Sequence, residues 1–294
     1  KYKKSISYSR RTKFSRLLSW AMYTLHITIQ LVFCKKNDLI LITSNPPIVH
    51  FCIFLIAKAK NISYVLLIYD IYPNILVSSG LLKNNHPIVS LWRFLNKIIY
   101  SHALKIITLG EDMKKTISQD YDLEFCEIGI SYPWVDVKKI KPILKCDNSF
   151  SENFIGHHKF VILYSGNMGI THDLESILNA AKMLKKNKNI YFLFIGGGDK
   201  FAFVDDFIES NKLKNAKLFK FQPEELLPYT LTLADISIVS VGKSIEKLMF
   251  PSKICYYLAA GSALIGICNN ASELANLIRE KKLGFSLESN KPIE

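Results

Sequence analysis

Apolar residues in this chain fall into short unbroken runs, each followed by a longer segment of helical spacing. The runs 38–43, 64–68, 104–108, 160–164, 190–195, 216–221, 235–241 and 263–268 are rich in Ile, Leu, Val and Phe. Runs of this length and make-up predict strands buried in a sheet. The segments 48–60, 87–101, from Glu111 onward, 173–186, 200–211, 224–233 and 271–282 predict helices. Regular alternation of strand and helix predicts parallel sheets, not a helical bundle. No shorter repeat overlies it. A polar, irregular stretch from Lys138 to Gly156 parts two such series. It predicts a first domain over 1–140, a linker over 141–156 and a second domain over 157–294. The opening residues form neither strand nor glycine turn and do not begin with Met, and strand-like Gly284–Glu288 stands near the end. We expect a fragment that lacks both ends of a longer chain.

Residues 17–34 are mostly apolar and follow a basic stretch containing Lys1, Lys3, Lys4, Arg10, Arg11, Lys13 and Arg16. His26, Gln30 and two Thr interrupt the apolar part. Three readings stay open: a helix docked on a sheet, a helix lying on an anionic membrane surface, and a bilayer span. The chain has 294 residues, 49% of them apolar, which suffices for two buried cores. Its formal charge of +13 favours anionic partners such as acidic lipid, nucleic acid or phosphate-bearing ligands. Six cysteines, at 34, 52, 126, 146, 255 and 268, show no C-x-x-C or metal-like spacing. They read as reduced core residues of a cytosolic protein.

Candidate chemistry collects where strands end, since ligands of open α/β sheets bind beyond the carboxyl edge. Gly166-Asn-Met-Gly169 and Gly196-Gly-Gly198 each end a predicted strand, where missing side chains let backbone approach an anion. Glu246–Gly261 follows the strand at 235–241 and carries Pro251, Ser252 and Lys253. Pro251 suits the first turn of a helix, and Lys253 would add a charge to that helix start. His172 follows the first glycine turn, and Asp70 follows the strand at 64–68. The bland readings are glycines common after strands, a surface lysine and a capping histidine. G-x-G-x-x-G, Walker A, G-x-S-x-G and H-E-x-x-H patterns are absent, so dinucleotide, P-loop, serine-hydrolase and zincin chemistry are not signalled. Asp120-Tyr-Asp122 matches a metal-binding D-x-D only by letters, and His157-His158 reads as solvated linker.

Several of these segments together resemble one family. Tyr164-Ser-Gly-Asn-Met-Gly169, Ile195-Gly-Gly-Gly-Asp199 and Pro251-Ser-Lys253 before Tyr257-Leu-Ala-Ala-Gly261 are similar to the donor half of a GT-B glycosyltransferase. More narrowly they resemble GT4-type retaining enzymes of capsule, O-antigen and exopolysaccharide assembly, the WbuB/WcaI-like branch. Tyr69-Asp-Ile-Tyr-Pro73 and Pro133-Trp-Val-Asp136 resemble that branch's first half. The resemblance implies two facing Rossmann-like, doubly wound domains. It implies metal-independent transfer from a nucleotide sugar, a UDP-sugar, to a lipid-linked or oligosaccharide acceptor, with no other cofactor and no nucleic acid. Asp70, Lys253 and Glu246 would be catalytic. Gly166, Asn167, Met168, Gly169, His172, Gly196, Gly197, Gly198, Ser252 and Glu273 would hold the donor. The protein would be cytoplasmic and peripheral on the inner face of the plasma membrane. The sequence departs from the family in three places. The family's two Glu, separated by seven residues in an E-x7-E pattern, fall at Leu248 and Tyr256, with Glu246 shifted from the first. Of its phosphate-binding Arg/Lys pair only Lys253 is present, and Tyr69 replaces its His before the aspartate. A GT-B sugar-nucleotide 2-epimerase and a non-catalytic partner subunit are the rival readings.

Overall fold

The computed structural model describes residues 13–154 and 159–288. The basic residues 1–12 and His157-His158 lie outside the described residues. The chain divides into two compact units, the first ending at Tyr132 and the second beginning at Pro133.

The first unit holds strands β1 (Leu39–Thr43), β2 (Ser63–Ile68), β3 (Lys105–Thr108) and β4 (Ile128–Ile130), all parallel and in the order β1-β2-β3-β4. β1 alternates: Ile40 and Ile42 are buried, Leu39 and Leu41 exposed. Its uninterrupted apolar run is therefore covered on one face only among the described residues, where the sequence suggested two. Helix 87–101 starts at Pro87, and His86 Nδ1 accepts from the Ile88 N–H at 3.2 Å. Buried Asn96 donates to the Tyr72 carbonyl at 2.7 Å and to the Tyr121 hydroxyl at 3.1 Å, tying this helix to its neighbours. Asp120 accepts from Asn74 at 2.6 Å and Asp122 pairs with Lys97 at 2.5 Å, so the two carboxylates serve separate surface contacts.

Helix Lys13–Val32 packs on helix Val49–Lys60 and buries Thr24 and Leu31. Thr24 and Thr28 return their hydroxyls to carbonyls one turn back, which removes their polar cost. Leu18, Met22, Leu25, Ile29 and Val32 form an exposed apolar stripe. No helix among the described residues is long and apolar enough to cross a membrane, which removes the spanning alternative for this segment.

The second unit is a parallel sheet in the order β10-β9-β8-β5-β6-β7. Its strands are β5 (Phe160–Asn167), β6 (Ile190–Gly197), β7 (Ala216–Lys220), β8 (Ile236–Ser240), β9 (Ala263–Ile267) and β10 (Gly284–Leu287). The chain steps outward from β5 to β7, then returns to the other side of β5 and steps outward again. The order thus reverses between β5 and β8, which opens a crevice at their carboxyl ends. Tyr164, Leu174, Leu178, Phe192, Phe194, Val204 and Ile267 pack into a core beneath it. The segment expected as linker is part of this unit. Asn148 donates to the Tyr229 carbonyl at 2.8 Å and to Thr232 Oγ1 at 3.1 Å, Lys145 pairs with Asp235, and Phe150 meets Phe219 edge-on at 5.5 Å. Asn148 and Phe150 look like loop residues in the sequence because their partners lie some 70 to 80 positions further on. The cysteines are less uniformly core than expected: Cys268 is buried, Cys34, Cys52 and Cys255 are half-buried, and Cys146 is exposed.

Candidate functional site

The crevice of the second unit is built first by backbone. Gly196 has φ +156°, and a Cβ there would stand 1.9 Å from the Gly166 carbonyl oxygen. Past it, Met168 N–H donates to the Gly197 carbonyl and Lys200 N–H to the Met168 carbonyl, each at 2.8 Å. The glycines at 196–198 therefore let two strand ends press together. This packing is a structural use of these glycines beside the ligand approach expected of them. Gly196, Gly197, Phe201, Lys220 and Phe221 line an open cavity of about 330 Å³ at the ends of β6 and β7.

Lys253 begins a short helix, Lys253–Ala259, with Ser252 at its N-cap and no side-chain cap bond. Pro251 stands outside that helix, not in its first turn, because Ser252 already takes the cap. The helix has seven residues, too little for its start to carry the site, and Ser252 is exposed. The lysine itself does more. Its Nζ sits 4.3 Å from the centre of the Tyr164 ring, and a Cβ on Gly166 would lie 3.4 Å from it. The Nζ is buried and has no hydrogen-bond partner among the described residues. Burial pulls its pKa down to about 8, so it is still a cation at neutral pH. A ring face offers part of the lost solvation, yet an unpaired buried cation still costs several kcal/mol. The Tyr164 hydroxyl donates to the Asn167 carbonyl at 2.7 Å, which fixes the ring under the charge.

His172 joins this cluster, its ring 6.3 Å from that of Tyr164. Nδ1 lies 2.7 Å from the Ser240 carbonyl oxygen at the end of β8. A carbonyl only accepts, so Nδ1 carries the hydrogen and Nε2 keeps a lone pair. Burial pushes the imidazole pKa down to about 4, and the charges of Lys253 and Lys200 push the same way. Lys200 holds the loop from behind, donating to the His172 carbonyl at 2.7 Å and pairing with Glu175 at 2.9 Å. The Glu246 carboxylate accepts from the Asn269 N–H just after β9, and Glu273 opens helix 273–280 beyond a Ser272 cap. Both acids thus stand at the β8–β9 end of the crevice. Leu248 is buried. Tyr256 lines a separate cavity of about 630 Å³ with Trp134, Asp136 and Glu224.

The first unit presents Asp70 just beyond β2. Ser44 Oγ accepts from the Tyr69 N–H at 2.8 Å and from the Asp70 N–H at 3.1 Å, so one hydroxyl sets the turn. Burial lifts the Asp70 carboxyl to about pH 6, and no side-chain partner meets it among the described residues. Behind it His50 Nε2 contacts the Thr43 carbonyl at 3.0 Å. Sequence reasoning missed Ser44, His50 and Phe221 and quoted Tyr164 and Tyr257 only as letters of a pattern. Nothing local marks them, since each acts on backbone or space far along the chain.

The sequence profile of a family described as glycosyl transferases group 1 matches residues 146–294, just over half of the chain and nearly all of the second unit. The chain belongs to this family. Among curated proteins it is 26% identical over 259 residues to a probable glycosyltransferase, WbjE, of Pseudomonas aeruginosa, covering 88% of this chain. It is 26% identical over 175 residues to a putative colanic acid biosynthesis glycosyl transferase, WcaI, of Escherichia coli, covering 56% of this chain. The chain spans 64% and 43% of those two relatives' lengths. Among solved structures, HepE of Anabaena in complex with UDP superposes with a TM-score of 0.70 at 12% identity, over 92% of this chain and 69% of that one. Sucrose-phosphate synthase of Thermosynechococcus elongatus gives 0.68 at 12% identity, over 98% and 69%. At such identities the likeness concerns fold: two parallel-sheet domains of the GT-B kind, as the group 1 family leads one to expect.

Proposed function

We propose that this protein transfers a glycosyl unit from a nucleotide sugar to a glycan acceptor, with retention at the anomeric carbon, in the assembly of a surface polysaccharide. One observation carries the reading: Lys253 is a buried cation with no hydrogen-bond partner among the described residues, held at the end of β5 beside its switch to β8. A diphosphate satisfies it. As the bond between sugar and phosphate breaks, charge grows on the leaving group, and a pre-placed cation in a dry site stabilises that growth most. In the proposed step the acceptor oxygen bonds to the anomeric carbon, the carbon–phosphate oxygen bond breaks, and the acceptor's proton passes to the departing phosphate. No metal takes part in this scheme.

Each of the other residues is given one part in this scheme. Neutral His172 presents Nε2 as an acceptor for a donor-sugar hydroxyl. The cavity beside Phe221 takes the nucleobase against its ring. Asn167 and Gly169 border the phosphates, Glu246 and Glu273 receive sugar hydroxyls, and Asp70 orients the acceptor. UDP is the favoured nucleotide because the structural relative HepE is solved with it. The naming of WcaI for colanic acid biosynthesis supports the polysaccharide pathway. The exposed stripe of helix 13–32, behind a basic leader, fits peripheral binding to the inner membrane face and a lipid-linked acceptor. The test is turnover of a panel of labelled UDP- and GDP-sugars on membrane extract, by the protein and by Lys253→Ala. Sugar transfer lost in the variant is the expected result. A wild-type protein that turns over no nucleotide sugar overturns the reading.

A further inference from the structure

Lys253 does not hold its position by any bond of its own. What holds it is four residues away on the same helix. The Tyr257 hydroxyl accepts from the Ser165 N–H at 3.0 Å and donates to the Ser165 carbonyl at 2.8 Å, so it takes both polar groups of a single β5 residue. The tyrosine is buried to 1% exposure. Residues 253 and 257 share a helix face, one turn apart, and Ser165 lies between Tyr164, whose ring carries the lysine charge, and Gly166, whose bare Cα leaves room for it.

We propose that Tyr257 is a positioning residue: its two-bond clamp on Ser165 keeps the helix against β5 and so holds the Lys253 ammonium dry and unpaired over Tyr164, ready for an anion. This rests on the reading of Lys253 as a phosphate-binding group and adds to it how the group is kept in an unfavourable place. Among the described residues the titratable groups facing the ammonium are Tyr164 and His172, with Lys200 behind His172. All are uncharged near neutral pH except Lys200, whose charge is already engaged with Glu175. Burial, not a neighbouring acid, therefore sets the state of Lys253, and burial is what the clamp maintains.

Tyr257→Phe keeps the ring and removes both bonds. Two measurements on the whole protein test it. The first needs no ligand: the pH dependence of Lys253 acylation, followed by peptide mass spectrometry. The wild-type residue should reach half reactivity near pH 8, and in the variant the midpoint should move up toward the ordinary lysine value. The second is a double-mutant cycle on UDP affinity with Lys253→Met. If Tyr257 works through Lys253, its substitution should weaken UDP binding about tenfold or more in the wild type and by almost nothing once Lys253 is Met. An unmoved labelling midpoint, additive losses in the cycle, or a variant that does not fold would each overturn the proposal and leave Tyr257 as a packing residue. If UDP binds neither wild type nor variant, the nucleotide reading fails while the labelling result still judges the clamp.

Discussion

Asp70 lies beyond a strand end of the first sheet and Lys253 against a strand end of the second, and the two are held by different means. At Asp70 a side chain organises backbone: the Ser44 hydroxyl takes two successive N–H groups and sets the turn. At Lys253 backbone organises a side chain: the bare Gly196 lets the strand end at Gly166 press in, and the lysine fills the space that Gly166 leaves. Burial moves both groups in the direction that disfavours charge, the carboxyl up to about 6 and the ammonium down to about 8. The outcomes differ. At pH 7 both are charged, but Asp70 sits one unit from losing its charge to acid and Lys253 one unit from losing it to base. The Asp70 carboxylate and the Lys253 ammonium are thereby charged together only in the neutral window. Each charge is kept at the expense of stability, a common cost of a pre-formed site.

The comparison breaks most severely at the glycine contact. Gly196→Ala puts a Cβ 1.9 Å from the Gly166 oxygen, at a φ that alanine rarely adopts. We expect the second unit to lose cooperative unfolding in calorimetry, with the first unit's transition retained. Ser44→Ala, the matching lesion in the first unit, should lower the melting temperature only modestly, since backbone N–H groups near the surface can turn to water.

Lys253→Ala comes next. Turnover should fall roughly a hundredfold or more, which is about 2.7 kcal/mol of transition-state stabilisation. The melting temperature at pH 7 should hold or rise. The sign follows from linkage. The folded-state pKa lies below the unfolded value of 10.5, so the burial cost is fully present below pH 8 and is relieved as pH climbs from 8 to 10.5. The variant's stability advantage should shrink over that range.

Asp70→Asn should cut turnover by about tenfold to a hundredfold, as the loss of an orienting charge does. Here linkage runs the other way. The folded pKa of about 6 exceeds the unfolded 3.8, so the wild type is favoured while protonated and loses stability as pH rises from 4 through 6. Thermal melts should show the variant ahead at pH 7 and level with the wild type at pH 4.

The smallest effect belongs to His172. His172→Asn can still donate to the Ser240 carbonyl, so stability should drop by under about 1 kcal/mol. His172→Ala orphans that carbonyl and should cost about 1–3 kcal/mol in urea unfolding. Because the wild-type imidazole titrates near pH 4, UDP affinity should show no histidine step between pH 5 and 8. A step near 6.5 would mean that the ring is hydrated and does not bond Ser240.

Much of this architecture could be read from residue pattern. The runs that became β5, β6, β8 and β9 are long and apolar because both faces are covered, and their ends placed Gly166, His172 and Lys253 on one edge. β4 was passed over, since Ile128-Gly-Ile is too short to show a period. The domain boundary fell earlier than the polar stretch suggested, because Asn148 and Phe150 dock on residues of the second unit that sequence spacing cannot pair with them. The close approach of Gly196 to Gly166 on the neighbouring strand was not legible, because strand pairing is not written in local sequence. The clamp of Tyr257 was invisible, because its partner is the backbone of Ser165, 92 positions away, and a backbone partner leaves no mark on composition.

The central claim is that Lys253 waits unpaired for a diphosphate. A structure of the protein with UDP bound tests it most directly. The account predicts that the Nζ leaves the Tyr164 ring and lies about 2.7–2.9 Å from a diphosphate oxygen, with His172 still on Ser240 and Tyr257 still on Ser165. A diphosphate held elsewhere, with the Nζ unmoved at 4.3 Å over the ring, would contradict it.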